Sequence, residues 1–461
     1  IAIHYFKRRR RTMKKFAYCS IVFVLLLSIT VVTHSYCCEH WKVNWEYKGS
    51  SVSEYDSTLK HYVWETARPP YGPFDKISLH RYIRQRHHWD ADPYQPSKDP
   101  RKVLFIIPGT WDRGFPKGTN PNISENWFYA ANGYDTYAIE FRTGYIKPNL
   151  AYDQFAQFGL GNALNGTADW TYGVFREDIK ACVELAKRLS RAKKLFMAGR
   201  SRGGTQLYIY AAKYWKQDLK GLIGLDGGSP WLPVDNPANQ KTEAQFLAAV
   251  QAFKNGSLPA PYNTFLSEVS GYERSQFAGA VPFATTTLGG PLPDAGSLVP
   301  PIPDFAPPDK KEINFVSDLV CYYGYYAWGA GMVMNYYKPY PGGNGETYMD
   351  REVAIDIYAN FTRYWPRIQD LEASYMTGYS NCPFLDYDDV GAITLPILHF
   401  FSELSCPNGL CLGNPQPYKV QSTDVTLKYL PSFGHLDVYA GTHSLEEVKQ
   451  PMLEWMNARL K

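Results

Sequence analysis

The chain of 461 residues lacks the signatures that most metal and cofactor chemistries need. None of its eight cysteines forms a C-x-x-C pair or stands with histidines at zinc-ligand spacing, so a metal centre has no support. No G-x-G-x-x-G follows a strand-like run and no P-loop occurs, and no cofactor is expected. The apolar run at residues 21–32 is shorter than the roughly 20 residues of a full bilayer crossing. The body of the protein also lacks an excess of positive charge. Of a formal +4, seven Lys or Arg and no acid fall in the first 15 residues, leaving about −3 for the rest. That balance leaves no footprint for a nucleic-acid partner.

What is present is a globular composition, 45% hydrophobic, 20% charged and 16% aromatic, with ample material for a large core. The basic residues before the apolar run at 21–32, with small or neutral residues at Thr33, Ser35 and Cys37, predict a signal peptide within residues 1–37. A secreted or periplasmic location follows, or membrane anchoring if the segment stays uncleaved. In an exported chain Cys406 with Cys411 and Cys321 with Cys382 are candidate disulfides, whereas Cys182 falls in a helical pattern and reads as a buried thiol. Sequons begin at Asn122, Asn165, Asn255 and Asn360 and matter only where exported proteins are glycosylated.

Residues 77–84 alternate as an early strand. From there, short apolar runs at 103–107, 136–141, 195–198 and 222–225 are interleaved with helical periodicity at 175–189 and 204–214. The alternation predicts an open, mostly parallel sheet covered on both faces. After Pro230 the rhythm breaks for about 155 residues, with helices expected at 242–254, 262–277, 313–326 and 348–364. Strands near 394–401 and 424–429 and a helix at 445–460 then complete the sheet domain.

Gly199-Arg200-Ser201-Arg202-Gly203 lies between the strand ending at Ala198 and the next helix. A bare G-x-S-x-G is a weak signal, but a strand-to-helix turn is the context in which it lifts a serine hydroxyl clear of a sheet. These residues resemble the nucleophile elbow of the α/β-hydrolase superfamily, of the serine esterase or lipase kind. The resemblance covers about residues 75–230 and 390–461. It implies an α/β-hydrolase fold: a mostly parallel central sheet with helices on both faces and a large, mainly helical cap inserted late. Residues 38–230 and 386–461 would form the core and 231–385 the cap.

The same resemblance implies the site. Ser201 is the nucleophile, and His435, after the last strand and before the final helix, is the base. Residues 105–114 resemble the loop that supplies one oxyanion donor, the backbone N–H of Thr110 or, shifted by one, of Trp111. The second donor is the N–H of Arg202. Two carboxylates compete for the acid: Glu403 after the strand at 394–401, two residues short of the usual position, and Asp226 at the end of the preceding strand. Asp386 and Asp389 are lesser alternatives. Asp437 is expected to fix its own turn, and His399 to be a core residue. Arg200 and Arg202 could bind a substrate carboxylate, or pair with Asp226 or Glu403.

The expected activity is hydrolysis of a carboxylic ester through an acyl-enzyme. Alternatives are a lipase, a peptidase or amidase, a polyester or lactone hydrolase, or a catalytically inactive surface binding protein. The expected partner is a small-molecule or lipid ester. The segment at 327–334 hints at transient lipid-surface contact through the cap, and 36 tyrosines suit an amphipathic or aromatic ester.

Overall fold

The computed structural model describes residues 43–85, 92–109, 112–114, 124–146, 167, 169–227, 237–238, 240–254, 348–349, 353, 366–376, 382, 385, 390–403 and 420–460. The chain divides into two units, Ile1–Trp45 and Glu46–Lys461, and every element below belongs to the second.

Nine strands form one sheet: β1 (Glu46–Val52), β2 (Leu59–Ala67), β3 (Lys76–Arg84), β4 (Val103–Ile107), β5 (Asp135–Glu140), β6 (Leu195–Arg200), β7 (Leu219–Leu225), β8 (Ile397–Ser402) and β9 (Val425–Leu430). Their spatial order is β1-β2-β3-β5-β4-β6-β7-β8-β9. The first three strands are antiparallel and β3 joins β5 antiparallel. From β5 to β9 every pairing is parallel. Parallel neighbours need crossovers, and the first three are supplied by α1 (Glu125–Ala131), α2 (Tyr172–Ser190) and α3 (Arg202–Asp218).

Burial explains which strands are central. All five residues of β4 and all six of β6 and β8 are buried, as expected of strands covered on both faces. One face carries Leu104, Ile106, Phe196, Ala198, Leu398 and Phe400, packed with Phe128 and Tyr129 of α1 and Met452 and Trp455 of α7 (Gln450–Ala458). On the opposite face of β8, His399 stacks against Tyr208 of α3 at 6.5 Å between ring centres. At the free edge β1 is largely exposed, charged and bulged between Tyr47 and Gly49, features that discourage pairing with another chain.

Helix α2 is anchored in its amino-terminal half. Thr171 caps it by accepting the Val174 N–H, and buried Asp178 accepts hydrogen bonds from Arg142 and Arg68. Arg142 also pairs with Asp75, itself bonded by the Trp170 indole. These contacts tie β3, the turn after β5 and α2 into one unit.

Two helices of the region between β7 and β8 are described, α4 (Glu243–Lys254) and α5 (Arg367–Met376). Phe246, Ala249, Ile368, Leu371 and Tyr375 form an apolar cluster with Tyr172 of α2 and Ile209 of α3. Gln369 bridges the Gln206 amide and the Trp170 carbonyl, and Glu372 accepts the Tyr172 N–H. The expected helix at 242–254 coincides with α4. Those at 262–277 and 313–326, and nearly all of 348–364, lie outside the described residues, as does the segment at 1–37.

β1, β2, α1 and α5 are additions to the elements expected from the sequence. The expected helix at 445–460 is divided: it starts as a π turn, Leu445–Lys449, and continues as α7. Pro451, in the first turn of α7, has no N–H to donate, so regular α-helical bonding cannot run through that position.

Candidate active site

Strand β4 lies between β5 and β6, so the winding of the chain reverses at β4. The crevice outside the carboxyl ends of β4 and β6 is therefore a topological switch point, where loops diverge and leave room for a ligand. The loop after β4 begins there with Pro108 and Gly109, and Ser201 follows β6 directly.

Ser201 adopts φ 51° and ψ −125°, a conformation L-residues avoid, at the single residue between β6 and α3. Such strain costs on the order of 1–3 kcal/mol and persists only where the surroundings enforce it. Here the enforcement is visible. Ser201 N–H donates to the Leu225 carbonyl at 3.0 Å and Ser201 O accepts the Gly204 N–H at 2.8 Å. A Cβ on Gly199 would collide with the Gly203 backbone, and one on Gly203 would lie 2.5 Å from the Pro108 carbonyl oxygen. Only glycine lets the elbow and the β4 loop approach this closely. That loop reaches Ser201 itself: a Cβ on Gly109 would sit 2.9 Å from Ser201 Cβ and 3.6 Å from its hydroxyl.

The second strained residue is Asp226, φ 48°, directly after β7. Its carboxylate is a meeting point for donors. Ser402 N–H donates to Oδ1 at 2.7 Å, Ser402 Oγ donates to Oδ2 at 2.7 Å, and His435 Nδ1 lies 2.6 Å from Oδ2. With Nδ1–H donated to the carboxylate, the neutral imidazole presents Nε2 as its acceptor. His435 is partly exposed, and the Tyr439 ring stands edge-on to it at 6.3 Å. Because β6, β7, β8 and β9 are parallel, Ser201, Asp226, Ser402 and the turn bearing His435 all lie at the carboxyl ends of strands, Ser402 as the last residue of β8 and the others just beyond theirs.

Glu403 is directed elsewhere. Its Oε2 accepts the Ser432 N–H at 2.6 Å and its own N–H bonds to the Leu430 carbonyl, so it shapes the turn before His435. Of the two competing carboxylates, Asp226 is the one within hydrogen-bond distance of the imidazole. Asp437 accepts the Gly434 N–H at 2.6 Å and fixes its own turn. Buried His399 stacks on Phe401, and burial holds its pKa down at about 4. Asp386 and Asp389 lie outside the described residues.

Thr110 and Trp111 also lie outside the described residues. Arg202 is the first residue of α3, within the turn whose N–H groups the helix itself does not consume. Arg200 does not pair with either candidate acid. Its Nε donates to Glu125 of α1 and its Nη1 to Asp112 of the β4 loop, each at 2.7 Å, which leaves this buried guanidinium engaged with protein carboxylates. Cys182 is a buried thiol whose pKa is raised by burial. Cys382 is buried in the α4–α5 cluster with Sγ 3.9 Å from the Tyr375 carbonyl, and Cys321, Cys406 and Cys411 are not among the described residues.

Two contributors had no signal in the sequence. Ser402 reaches Asp226 across a separation of 176 residues, and Glu125 reaches Arg200 across 75.

The arrangement of strands and helices has counterparts among solved structures. A lipase candidate from Sulfolobus solfataricus is 24% identical over 90% of this chain and 99% of its own, with a TM-score of 0.60. This chain has the α/β-hydrolase fold. Weaker likenesses include a carboxylesterase of Nitrososphaera gargenis (12% identity, 89% of this chain and 99% of the other, TM-score 0.38) and an epoxide hydrolase of Bacillus megaterium (12%, 83% and 97%, TM-score 0.38). No protein-family model and no curated protein sequence matches the chain. The described helices α4 and α5 lie between β7 and β8 in the chain, within residues 231–385.

Proposed function

We propose that the protein is a serine hydrolase that cleaves carboxylic esters through an acyl-enzyme. The observation that carries this reading is the chain of contacts from the strained Ser201, through Leu225, to the adjacent Asp226 and its 2.6 Å bond to His435. Ser201 Oγ attacks the ester carbonyl carbon, and its proton passes to His435 Nε2. The carbonyl π electrons move to oxygen, where backbone N–H groups at Arg202 and in the β4 loop receive the charge. As the tetrahedral intermediate collapses, the carbon–alkoxy bond breaks and His435 protonates the leaving alcohol. Water then attacks the acyl carbon, giving its proton to His435. Release of the acid returns that proton to Ser201. Asp226 holds the tautomer and faces the imidazolium in both halves of the cycle.

The natural ester is best sought by acyl length, and the export expected from residues 1–37 belongs to the same reading. Hydrolysis of C2, C8 and C16 p-nitrophenyl esters by the wild type and by Ser201→Ala is the test. The reading expects the variant to fall at least about 10³-fold in kcat with KM little changed. An unchanged rate would remove Ser201 from the mechanism and favour an inactive binding protein or an unrelated site. A rate rising with chain length would place a lipid ester in the pocket, and a preference for C2 would assign it to short esters.

A further inference from the structure

Arg200, next to Ser201 in the chain, contacts the β4 loop, α1 and the segment that follows His435. Its side chain is 5% exposed. One edge of the guanidinium donates Nε–H to Glu125 Oε2 on α1 at 2.7 Å, and Nη1–H goes to Asp112 Oδ2 on the β4 loop at 2.7 Å. Its face lies 5.4 Å from the centre of the Tyr439 ring, which in turn stands edge-on to His435. Asp112 is tied to its own loop, because Oδ1 accepts the Arg113 N–H and its N–H bonds to the Gly109 carbonyl. The far end of the loop is pinned independently: Gly114 N–H donates to Glu140, and the Gly114 carbonyl accepts from Asn126 of α1.

Resting on the serine-hydrolase reading, we infer that Arg200 is a positioning residue that sets the register of three segments around Ser201: the β4 loop through Asp112, α1 through Glu125, and the His435 turn through Tyr439. A purely structural role is the competing account, and chemistry argues against it. Burying a charged cluster at a site that apolar side chains could fill brings no gain in stability on average, since desolvation offsets the attraction. A planar guanidinium does what an apolar side chain or an ammonium cannot: its fixed fork directs hydrogen bonds to two carboxylates while its face packs on a ring. The displacement at stake is small. An oxyanion donor must stand about 2.7–3.1 Å from the developing charge, so a loop shift of about 1 Å is enough to lower kcat without altering ground-state binding.

The test uses Arg200→Lys and Asp112→Asn in the full chain, with two readouts. In steady-state hydrolysis of p-nitrophenyl butyrate, well below the melting temperature, both variants should lose at least 30-fold in kcat with KM within threefold. In backbone amide exchange, residues 112–114 and 436–441 should both exchange faster in Arg200→Lys, and residues 112–114 alone in Asp112→Asn. Asp112→Asn is nearly isosteric at a partly exposed carboxylate, so it carries the test if Arg200→Lys does not fold. Folded variants with kcat within twofold of the wild type, or with unchanged exchange in both segments, overturn the inference. If Ser201→Ala hydrolyses as fast as the wild type, the reaction itself has been misread. The exchange pattern then still decides whether Arg200 registers these segments.

Discussion

Replacing Asp226 by asparagine should reduce kcat by about 10³- to 10⁴-fold while leaving KM within a few-fold. The replacement conserves shape, and asparagine tolerates the positive φ of 48° at this position, so folding should survive. What changes is charge and tautomer. In the wild type a carboxylate oxygen lies 2.6 Å from His435 Nδ1, where in the proposed reaction it would face the imidazolium formed when Ser201 gives up its proton. At about 4 Å between charge centres and an effective dielectric near 20, that attraction is about 4 kcal/mol, close to a factor of 10³. An asparagine that keeps donating towards Nδ1 would further favour the wrong tautomer, adding up to about tenfold. The assay is single-turnover and steady-state hydrolysis of p-nitrophenyl butyrate, with Glu403→Gln as the matched control. Glu403 contacts the Ser432 N–H rather than the imidazole, so that control should stay within about threefold. A 10³-fold loss in Glu403→Gln together with less than a tenfold loss in Asp226→Asn would refute the assignment of the acid.

Two further outcomes follow from the same geometry. Ser402→Ala removes the hydroxyl that donates to Asp226 Oδ2, a bond to a charged group worth about 1.5–3 kcal/mol. kcat should fall about tenfold, because the carboxylate loses the donor that holds it in place beside His435. A kcat within twofold of the wild type would contradict this. Burial keeps the pKa of His399 and of His61 at about 4, below the unfolded value near 6.5. The folded state thus prefers both rings neutral, and the stability they contribute is complete above pH 6.5 and is lost as pH falls towards 4. Between pH 6.5 and 5 each costs about 2 kcal/mol. Denaturant titrations at pH 7 and pH 5 should show a smaller loss in His399→Gln than in the wild type, and equal losses would refute the burial argument.

The parts of the fold legible in the sequence are those whose burial leaves a pattern. β4 to β8 are mostly short apolar runs because strands covered on both faces have little room for polar residues, and α2 and α3 show helical spacing because one side of each meets the sheet. β1 lacks such a pattern: EYKGSSV is an edge strand with mostly exposed residues and a bulge. Helix α1 escapes notice because seven residues of ENWFYAA are too few to establish a period, and six of them are buried. The elbow was legible because its motif is short and local, although its two glycines answer to different neighbours, Gly199 to the Gly203 backbone one turn on and Gly203 to the Pro108 carbonyl of the β4 loop. The acid was not, since chain order supplies both Asp226 and Glu403. What separates them is where two neighbouring turns point: Ser402 faces Asp226, while Ser432 draws Glu403 aside. The partners of Arg200 are invisible for a related reason, as Asp112 and Glu125 lie 88 and 75 residues away and meet it only once β4, α1 and β6 are assembled.

The most direct measurement of the central claim is covalent trapping with a phosphonofluoridate, read by intact mass and peptide mapping. A serine activated by the Asp226–His435 pair should give one adduct, located on Ser201, at a rate lowered at least 10³-fold in His435→Ala. An adduct on another residue, or labelling of Ser201 that is indifferent to His435, would contradict the account.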